Sequence, residues 1–264
     1  MKKDKKSVDL RHQNILKYVR ENGEVRSEDI AEMFGISLMT VRRDLQLLAR
    51  KGLLHRTHGG AATIDAFYNT RKLSAEVNSC RDSISEFAAS FVNDGDTVFI
   101  NGSQTALNLL RFVGNKKVHV ITNNGWCIGA DYQDGVTIQM TGGDLRGRIL
   151  IGEHTLQSLL EETADKTFIG CAAVYEDAEF VYDIPTEIGI NEVMITKTRQ
   201  HVYILADHTK LHFREDRSSS YGSCTYDCEH TLITDELADP VIIDRLRQNG
   251  TDIIVVPIRR EQLV

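Results

Sequence analysis

The chain has no apolar run approaching the roughly 20 residues that a membrane-spanning helix needs. Its basic start, MKKDKKSVDLRHQ, has no apolar stretch behind it of the kind that marks a secretory signal. Cysteines are few, five in all, odd in number and scattered. These absences argue against a spanning helix and a disulfide framework, and they predict a reduced, cytoplasmic setting with no membrane partner. The chain also lacks an overall positive charge. Its formal net charge is −7, which at first sight argues against a polyanionic partner. What it has is length. With 264 residues and 41% hydrophobic content, it can form one large domain or two unequal ones with a sizeable core.

The net charge conceals a partition. Residues 1–60 hold 13 Lys+Arg against 8 Asp+Glu, a net +5, while the remaining 204 residues hold 18 against 30, a net −12. A small basic part on a larger acidic one suggests a nucleic-acid module joined to something else. Screening sets in within roughly 8–10 Å at physiological salt, so a distant acidic part does not forbid DNA binding.

Local pattern agrees. In RHQNILKYVRENG, Ile15, Leu16 and Val19 recur at helical spacing and Gly23 stops the run. Ser27 is placed to cap a short second helix, SEDIAEMFG, with Ile30, Ala31 and Phe34 as its apolar stripe and Gly35 as its end. Ser37 is placed to cap a third helix, LMTVRRDLQLLARKG, ending at Gly52. Two short helices joined through FGIS have helix-turn-helix shape. At about 100° per residue, Leu38, Val41, Leu45 and Leu48 share an inward face. Met39, Arg43, Gln46 and Arg50 share the opposite face, and Thr40 and Arg42 lie on its flanks. Arg43 is thus aimed at base edges, where guanine is the usual bidentate target, and Arg42 at a phosphate beside the groove. Asp44 is placed to steer or cap nearby basic groups. An isolated arginine pair is more often plain solvated surface. Here GLLHRTHGGA follows, a strand-like run with Arg56 and His58 before a Gly-Gly turn, which suggests a wing lying along the phosphate backbone.

The stretch ISLMTVRRDLQLLARKGLLHRTHGGA closely resembles the N-terminal winged helix-turn-helix of the DeoR-type bacterial transcription regulators. Ser37, Thr40, Arg42, Arg43, Asp44, Leu45, Gly52, Leu54, Arg56, His58, Gly59, Gly60 and Ala61 match its signature. The expected DNA contacts are Ser27, Ser37, Met39, Thr40, Arg42, Arg43, Gln46, Arg56 and His58, with operator double-stranded DNA as the partner.

Residues 62–80 are polar with little period and read as a linker that includes some helix. From Arg81 onward, strands such as TVFI, VHVI, TIQM, TFIG, VYILA, TLIT and DIIVV alternate with amphipathic helices. Their continuous apolar runs predict a mostly parallel sheet covered on both faces. The expected organisation is a DNA-binding domain over 1–61, a linker over 62–80 and an α/β domain over 81–264. The strands end in small and polar loops: Asn101-Gly102-Ser103-Gln104-Thr105, Thr122-Asn123-Asn124-Gly125, Thr141-Gly142-Gly143-Asp144 and Asp207-His208-Thr209-Lys210. Ligands of open α/β sheets bind beyond the carboxyl ends of the strands. A helix opening at NGSQT favours an anion, and Lys210 is a candidate balancing cation.

The family resemblance extends through VHVITNNG, TGGDLR, IGC, ILADHTK and TLITDE. It implies an effector domain resembling ribose-5-phosphate isomerase that binds a phosphorylated sugar or related metabolite. It points to Ser103, Gln104, Thr105, Thr122, Asn123, Gly142, Gly143, Asp207 and Lys210. The chain departs from the pattern at Ser103, where the family has glycine. It departs again in the loop 172–184, where Tyr175, Glu176, Asp177, Glu179 and Asp183 replace a glycine-rich turn.

The expectation is a repressor of a carbohydrate-uptake or catabolic operon, acting as a dimer or tetramer, with no catalytic residues, no cofactor and no metal. The main alternative is a sugar-phosphate isomerase with an accessory DNA-binding head. A further alternative is a metal sensor, from Cys224, Cys228 and His230 with His208 and His212 nearby. Cys-x3-Cys without a second pair is loose zinc spacing, so ordinary thiols are the preferred reading.

Overall fold

A computed structural model describes residues 5–50, 53–57, 59–63, 75–182, 185–214, 223 and 228–259. The chain divides into two compact units, residues 1–72 and 73–264. Among the described residues no helix is long and apolar enough to cross a membrane.

The first unit contains α1 (Lys5–Asn22), β1 (Glu24–Arg26), α2 (Ser27–Phe34), α3 (Leu38–Arg50), β2 (His55–Arg56) and β3 (Gly60–Ala62). Gly23 follows α1 at φ +75° and Gly35 closes α2 at φ +59°, both in the left-handed region that favours glycine. The three strands form an antiparallel sheet in the order β1-β3-β2. Gly60 abuts Val25 O so closely that a Cβ would collide with it, which is why the wing needs a glycine there. Ile15, Val19, Val25, Ile30, Val41, Leu45, Leu48, Leu54 and Ala61 make the core. Leu38 was expected to point inward but is 40% exposed. It is the first residue of α3 and projects beyond the core layer that begins with Val41.

Asp44 crosses this small core. It is buried, and its carboxylate accepts from Arg11 Nε at 2.6 Å and Nη2 at 3.1 Å and meets His12 Nε2 at 3.1 Å. Burial alone would push its carboxyl pKa up. The hydrogen bonds and charge of Arg11 and His12 outweigh that and hold it below the ordinary carboxylate value. The residue after the two arginines thus fastens the exposed helix to α1.

The second unit contains α4 (Ala75–Ala89), β4 (Thr97–Ile100), α5 (Gln104–Asn108), β5 (Val118–Thr122), β6 (Val136–Met140), β7 (Asp144–Arg146), β8 (Ile149–Ile151), α6 (Glu153–Glu161) and β9 (Ala164–Gly170). It continues with β10 (Ala173–Tyr175), β11 (Phe180–Val181), α7 (Pro185–Thr196), β12 (Thr198–Leu205), β13 (Leu211–His212), β14 (His230–Asp235), α8 (Pro240–Gln248) and β15 (Asp252–Val256). Seven strands form one sheet in the order β15-β14-β12-β9-β4-β5-β6, with every pair parallel. Val98, Ile100, Val118, Val120, Phe168, Tyr203, Leu205 and Ile233 pack beneath α4 and α5. The alternate residues Phe99, Ile121, Ile169 and Ile204 are buried too, and α7 lies against β9 and β12. Burial on both faces accounts for the continuous apolar runs.

Three features of the second unit go beyond the sequence reading. Residues 75–80, read as part of a linker that includes some helix, begin α4, with Val77 and Cys80 buried. The hairpin β7–β8 follows the Gly142-Gly143 loop. The acidic loop after β9 is a second hairpin, β10–β11, with β13 alongside. Ala178 takes φ +66° at its turn, in place of the glycine that such a turn favours. Asp183 and Ile184 lie outside the described residues.

The lowered Asp44 pKa fixes the sign of a pH effect. The stabilisation is present above the unfolded-state value of about 4 and is lost as pH falls through the lower folded value. Asp44→Asn is expected to destabilise the first unit by about 2–3 kcal/mol at pH 7. Its deficit should shrink below about pH 4. Hydrogen exchange of α1 and α3 amides across this pH range measures both.

Candidate nucleic-acid interface and ligand site

Ser37 caps α3 as expected: its Oγ accepts from Thr40 N at 3.2 Å and contacts Thr40 Oγ1 at 2.9 Å. The outer face of α3 carries Met39, 76% exposed, and the exposed Arg42 and Arg43. Gln46 and Thr40 are half-buried beside them. Arg56 is half-buried on β2, and His58 and Gly52 lie outside the described residues. Ser27 departs from its expected role. Arg26 belongs to β1 and stands at the cap position, so Ser27 is the first helical residue. It is buried, and its N–H donates to Gly59 O at 2.8 Å. It ties α2 to the wing instead of facing outward. The result is a cationic helix face held by a buried carboxylate, beside an antiparallel ribbon.

In the second unit, the loops after the parallel strands meet at one edge. Asn101, buried at the end of β4, is their hub. Its Nδ2 donates to Gly170 O at 3.0 Å and to Asn191 Oδ1 at 3.1 Å. Its Oδ1 accepts from Ser103 N at 3.1 Å and Gly170 N at 3.0 Å. Ser103 caps α5, accepting from Ala106 N at 3.2 Å, and lies so close to Gly170 that a Cβ there would collide with its hydroxyl. Asn124 Nδ2 donates to Asn101 O at 3.2 Å and Ser103 O at 3.1 Å. Asn123 Nδ2 holds β8 across the end of β5 by donating to Leu150 O at 3.1 Å. Among the described residues, Asn123 Oδ1, Asn191 Nδ2 and Thr234 Oγ1 are buried at this end of the sheet without a hydrogen-bond partner. An unsatisfied buried group costs about 1–3 kcal/mol, so such atoms mark where a polar ligand or water completes the bonding.

The cationic side of the edge lies after β12. Asp207, fully buried, accepts from Arg81 Nε at 2.7 Å and from Thr209 N at 3.1 Å. Burial alone would raise its pKa; the charges of Arg81 and Lys210 and the bonds from Thr209 and Arg81 outweigh that and lower it. Lys210 Nζ donates to Cys171 O, one residue beyond Gly170. Lys210 and Ser103 thus flank the same strand end.

The other expected ligand residues are arranged differently. Thr122 is buried, and its hydroxyl donates to Ile100 O at 2.6 Å. Thr105 is buried, with its carbonyl held by Ser85 Oγ at 2.8 Å. Gln104 is exposed and borders a groove of about 290 Å³ between α4, α5 and the turn Gly125–Gly129, with Arg81, Asp82, Asn108 and Trp126. Arg148 lies 4.6 Å over the Trp126 ring. Gly142 O accepts from Thr155 Oγ1 at 2.8 Å. Gly143, at φ +107°, leaves no room for a Cβ between Thr155 and Ile151, so both glycines shape the turn into the hairpin. The acidic hairpin is neutralised by arginine: Arg214 pairs with Asp177 and with Glu179 at 2.8 Å, and Arg245 with Glu176 at 3.5 Å.

Arg81, Asn101 and Asn191 were not singled out from the sequence. Asn101 had a signal, since it is the first polar residue after an apolar strand, as Asp207 is. Arg81 and Asn191 come from helices that precede and follow distant strands, and spacing alone does not bring them to the edge. Of the cysteine cluster read from spacing, Cys224 lies outside the described residues. Cys228 is exposed, with its carbonyl 2.9 Å from His230 Nδ1.

Comparison with known proteins places both units. Residues 11–67 match the DeoR-like helix-turn-helix domain and residues 78–236 the DeoR C terminal sensor domain. The chain is 28% identical to the HTH-type transcriptional regulator FruR of Bacillus subtilis, over 94% of this chain and 98% of that one. It is 27% identical to the HTH-type transcriptional repressor CsqR of Escherichia coli, over 93% and 94%. It is 30% identical to the glycerol-3-phosphate regulon repressor of Haemophilus influenzae, over 76% and 81%. Ribose 5-phosphate isomerase A of Methanocaldococcus jannaschii aligns at a TM-score of 0.37 and 16% identity, over 50% of this chain and 53% of that one. With both domains matched in order, the chain belongs to the DeoR family of helix-turn-helix transcription regulators with a C-terminal sensor domain.

Proposed function

We propose that this regulator is a cytoplasmic repressor of a carbohydrate-uptake or catabolic operon, released or recruited by a small phosphorylated sugar. The observation that carries this reading is the strand-end edge, which brings Lys210 and Ser103 to the end of one strand and holds, among the described residues, the buried Asn123 Oδ1 and Asn191 Nδ2 without a hydrogen-bond partner. A cation and a helix-opening serine suit a phosphate; one unpaired amide oxygen and one unpaired amide nitrogen suit sugar hydroxyls. A relative named for the glycerol-3-phosphate regulon is consistent with a small phosphorylated polyol or sugar as the regulated metabolite. The chain works as a homo-oligomer, and paired heads read two half-sites whose fixed spacing makes operator affinity sensitive to effector. A sensing role also fits the edge better than isomerisation does. Proton transfer between sugar carbons favours a base whose pKa is raised toward neutral pH, whereas Asp207 is paired with Arg81 and its pKa is lowered, which weakens it as a base.

A thermal-shift screen against sugar phosphates, glycerol 3-phosphate included, tests the ligand class. A ligand at 100 times its Kd adds about 2.7 kcal/mol of apparent stability. Turnover of any of these compounds would instead make the protein an enzyme.

Lys210→Ala is expected to leave operator affinity unchanged and to abolish the effector response in a fluorescence-anisotropy titration. An unchanged response removes Lys210 from the site.

On DNA, Arg43→Ala is expected to relax base preference at one operator position, at a cost of about 1–3 kcal/mol. Arg42→Ala should weaken all sequences alike and reduce the salt slope by about one. Binding assays on single-base operator variants at several salt concentrations separate the two. Identical behaviour would show that the arginines do not divide the work.

A further inference from the structure

Cys80, His208 and Asp235 come from three separate elements: α4, the turn after β12 and the end of β14. One potential ligand atom of each lies within 4.8 Å of the others. Cys80 Sγ is 3.8 Å from His208 Nδ1, and Asp235 Oδ1 is 2.8 Å from the same nitrogen. That shared nitrogen decides between two readings. A nucleophilic Cys-His-Asp relay needs thiol and carboxylate on opposite ring nitrogens, and burial with nearby carboxylates pushes the Cys80 thiol up to about 12. Sulfur, nitrogen and oxygen converging on one point is instead the arrangement that a metal ion requires. Ligands about 2.0–2.3 Å from a tetrahedral zinc ion stand roughly 3.3–3.8 Å apart, and the observed spacings bracket that range.

We propose that Cys80, His208 and Asp235 form a binding site for a borderline-soft divalent cation of the zinc class, with a fourth position open to water or a ligand oxygen. The mixed sulfur, imidazole and carboxylate set suits such an ion. Asp235 is already oriented for it, accepting from His208 N at 2.7 Å and Leu237 N at 3.1 Å. Cys80 and Asp235 are buried, whereas the His208 side chain is 21% exposed and gives the ion its way in. Binding forms the metal–sulfur bond and releases the Cys80 proton to solvent. One thiolate and one carboxylate then neutralise a dication, so no net charge is left buried. The ion would clamp α4, the first helix of the second unit, to the strand ends of β12 and β14. The site is separate from the Cys228 and His230 pair.

The test uses full-length protein stripped with a chelator, then titrated with Co2+ as a spectroscopic probe and with Zn2+ by competition. One ion per chain, a thiolate-to-cobalt charge-transfer band and a raised Tm are expected. Cys80→Ser should remove the band and weaken affinity by more than about tenfold, while Cys228→Ser leaves both unchanged. Circular dichroism checks folding, and His208→Gln replaces Cys80→Ser if that variant does not fold, with the same loss of affinity expected. The proposal is overturned if folded wild type takes up no ion, if the Cys80 or His208 variant binds as wild type does, or if Cys228→Ser removes the band.

Discussion

Parallel pairing forces the carboxyl ends of all seven sheet strands of the second unit onto one edge. That constraint organises the rest of the unit. The central strands run through apolar residues toward these ends, Val202–Leu205 in β12 and Val98–Ile100 in β4, because both faces of the sheet are covered there. The first polar residue beyond the cover, Asn101 after β4 or Asp207 after β12, is still buried and must find partners locally. It finds them on an adjoining strand end, in a loop and on the helices packed there. Asn101 reaches Gly170 and Asn191, Asp207 reaches Arg81, and Asp235 reaches His208. A polar network thereby forms along one line, with some of its amides left unsatisfied.

The first unit solves a different problem with the same device. A small three-helix head has little core with which to fix the rotation of its exposed helix. Asp44, buried against Arg11 and His12, fixes it. The carboxylate holds the helix from inside, so the adjacent Arg42 and Arg43 face outward from a rigid support. In both units a buried carboxylate is paired with an arginine, Asp44 with Arg11 and Asp207 with Arg81.

Much of this was legible in the sequence. The charge partition, the Ser37 cap and the alternation of apolar strands with helices follow from local pattern, and the structure has them. So does the strand-end edge, since each polar loop follows an apolar run. What could not be read depends on long-range geometry. Ser27 looked like a cap because its sequence context is that of one, but the close approach of Gly60 to β1 draws it inside. Leu38 had the right helical phase and the wrong height along the helix. Thr122 was named as a ligand contact from the family resemblance; that its hydroxyl donates to Ile100 O was not legible from the sequence. Cys80 sat in what looked like a linker, and only folding brings it to His208 and Asp235, while the cysteine spacing nearer the C-terminus drew attention instead.

A phosphorylated sugar, proposed above as the effector, would bind at the carboxyl ends of the parallel strands. Hydrogen exchange of the full-length protein, with and without the sugar phosphate that stabilises it, tests this most directly. Protection is expected only in the segments 100–105, 122–125, 170–172 and 205–211. Protection at the opposite ends of the strands, or in the DNA-binding head without change at those segments, would contradict it.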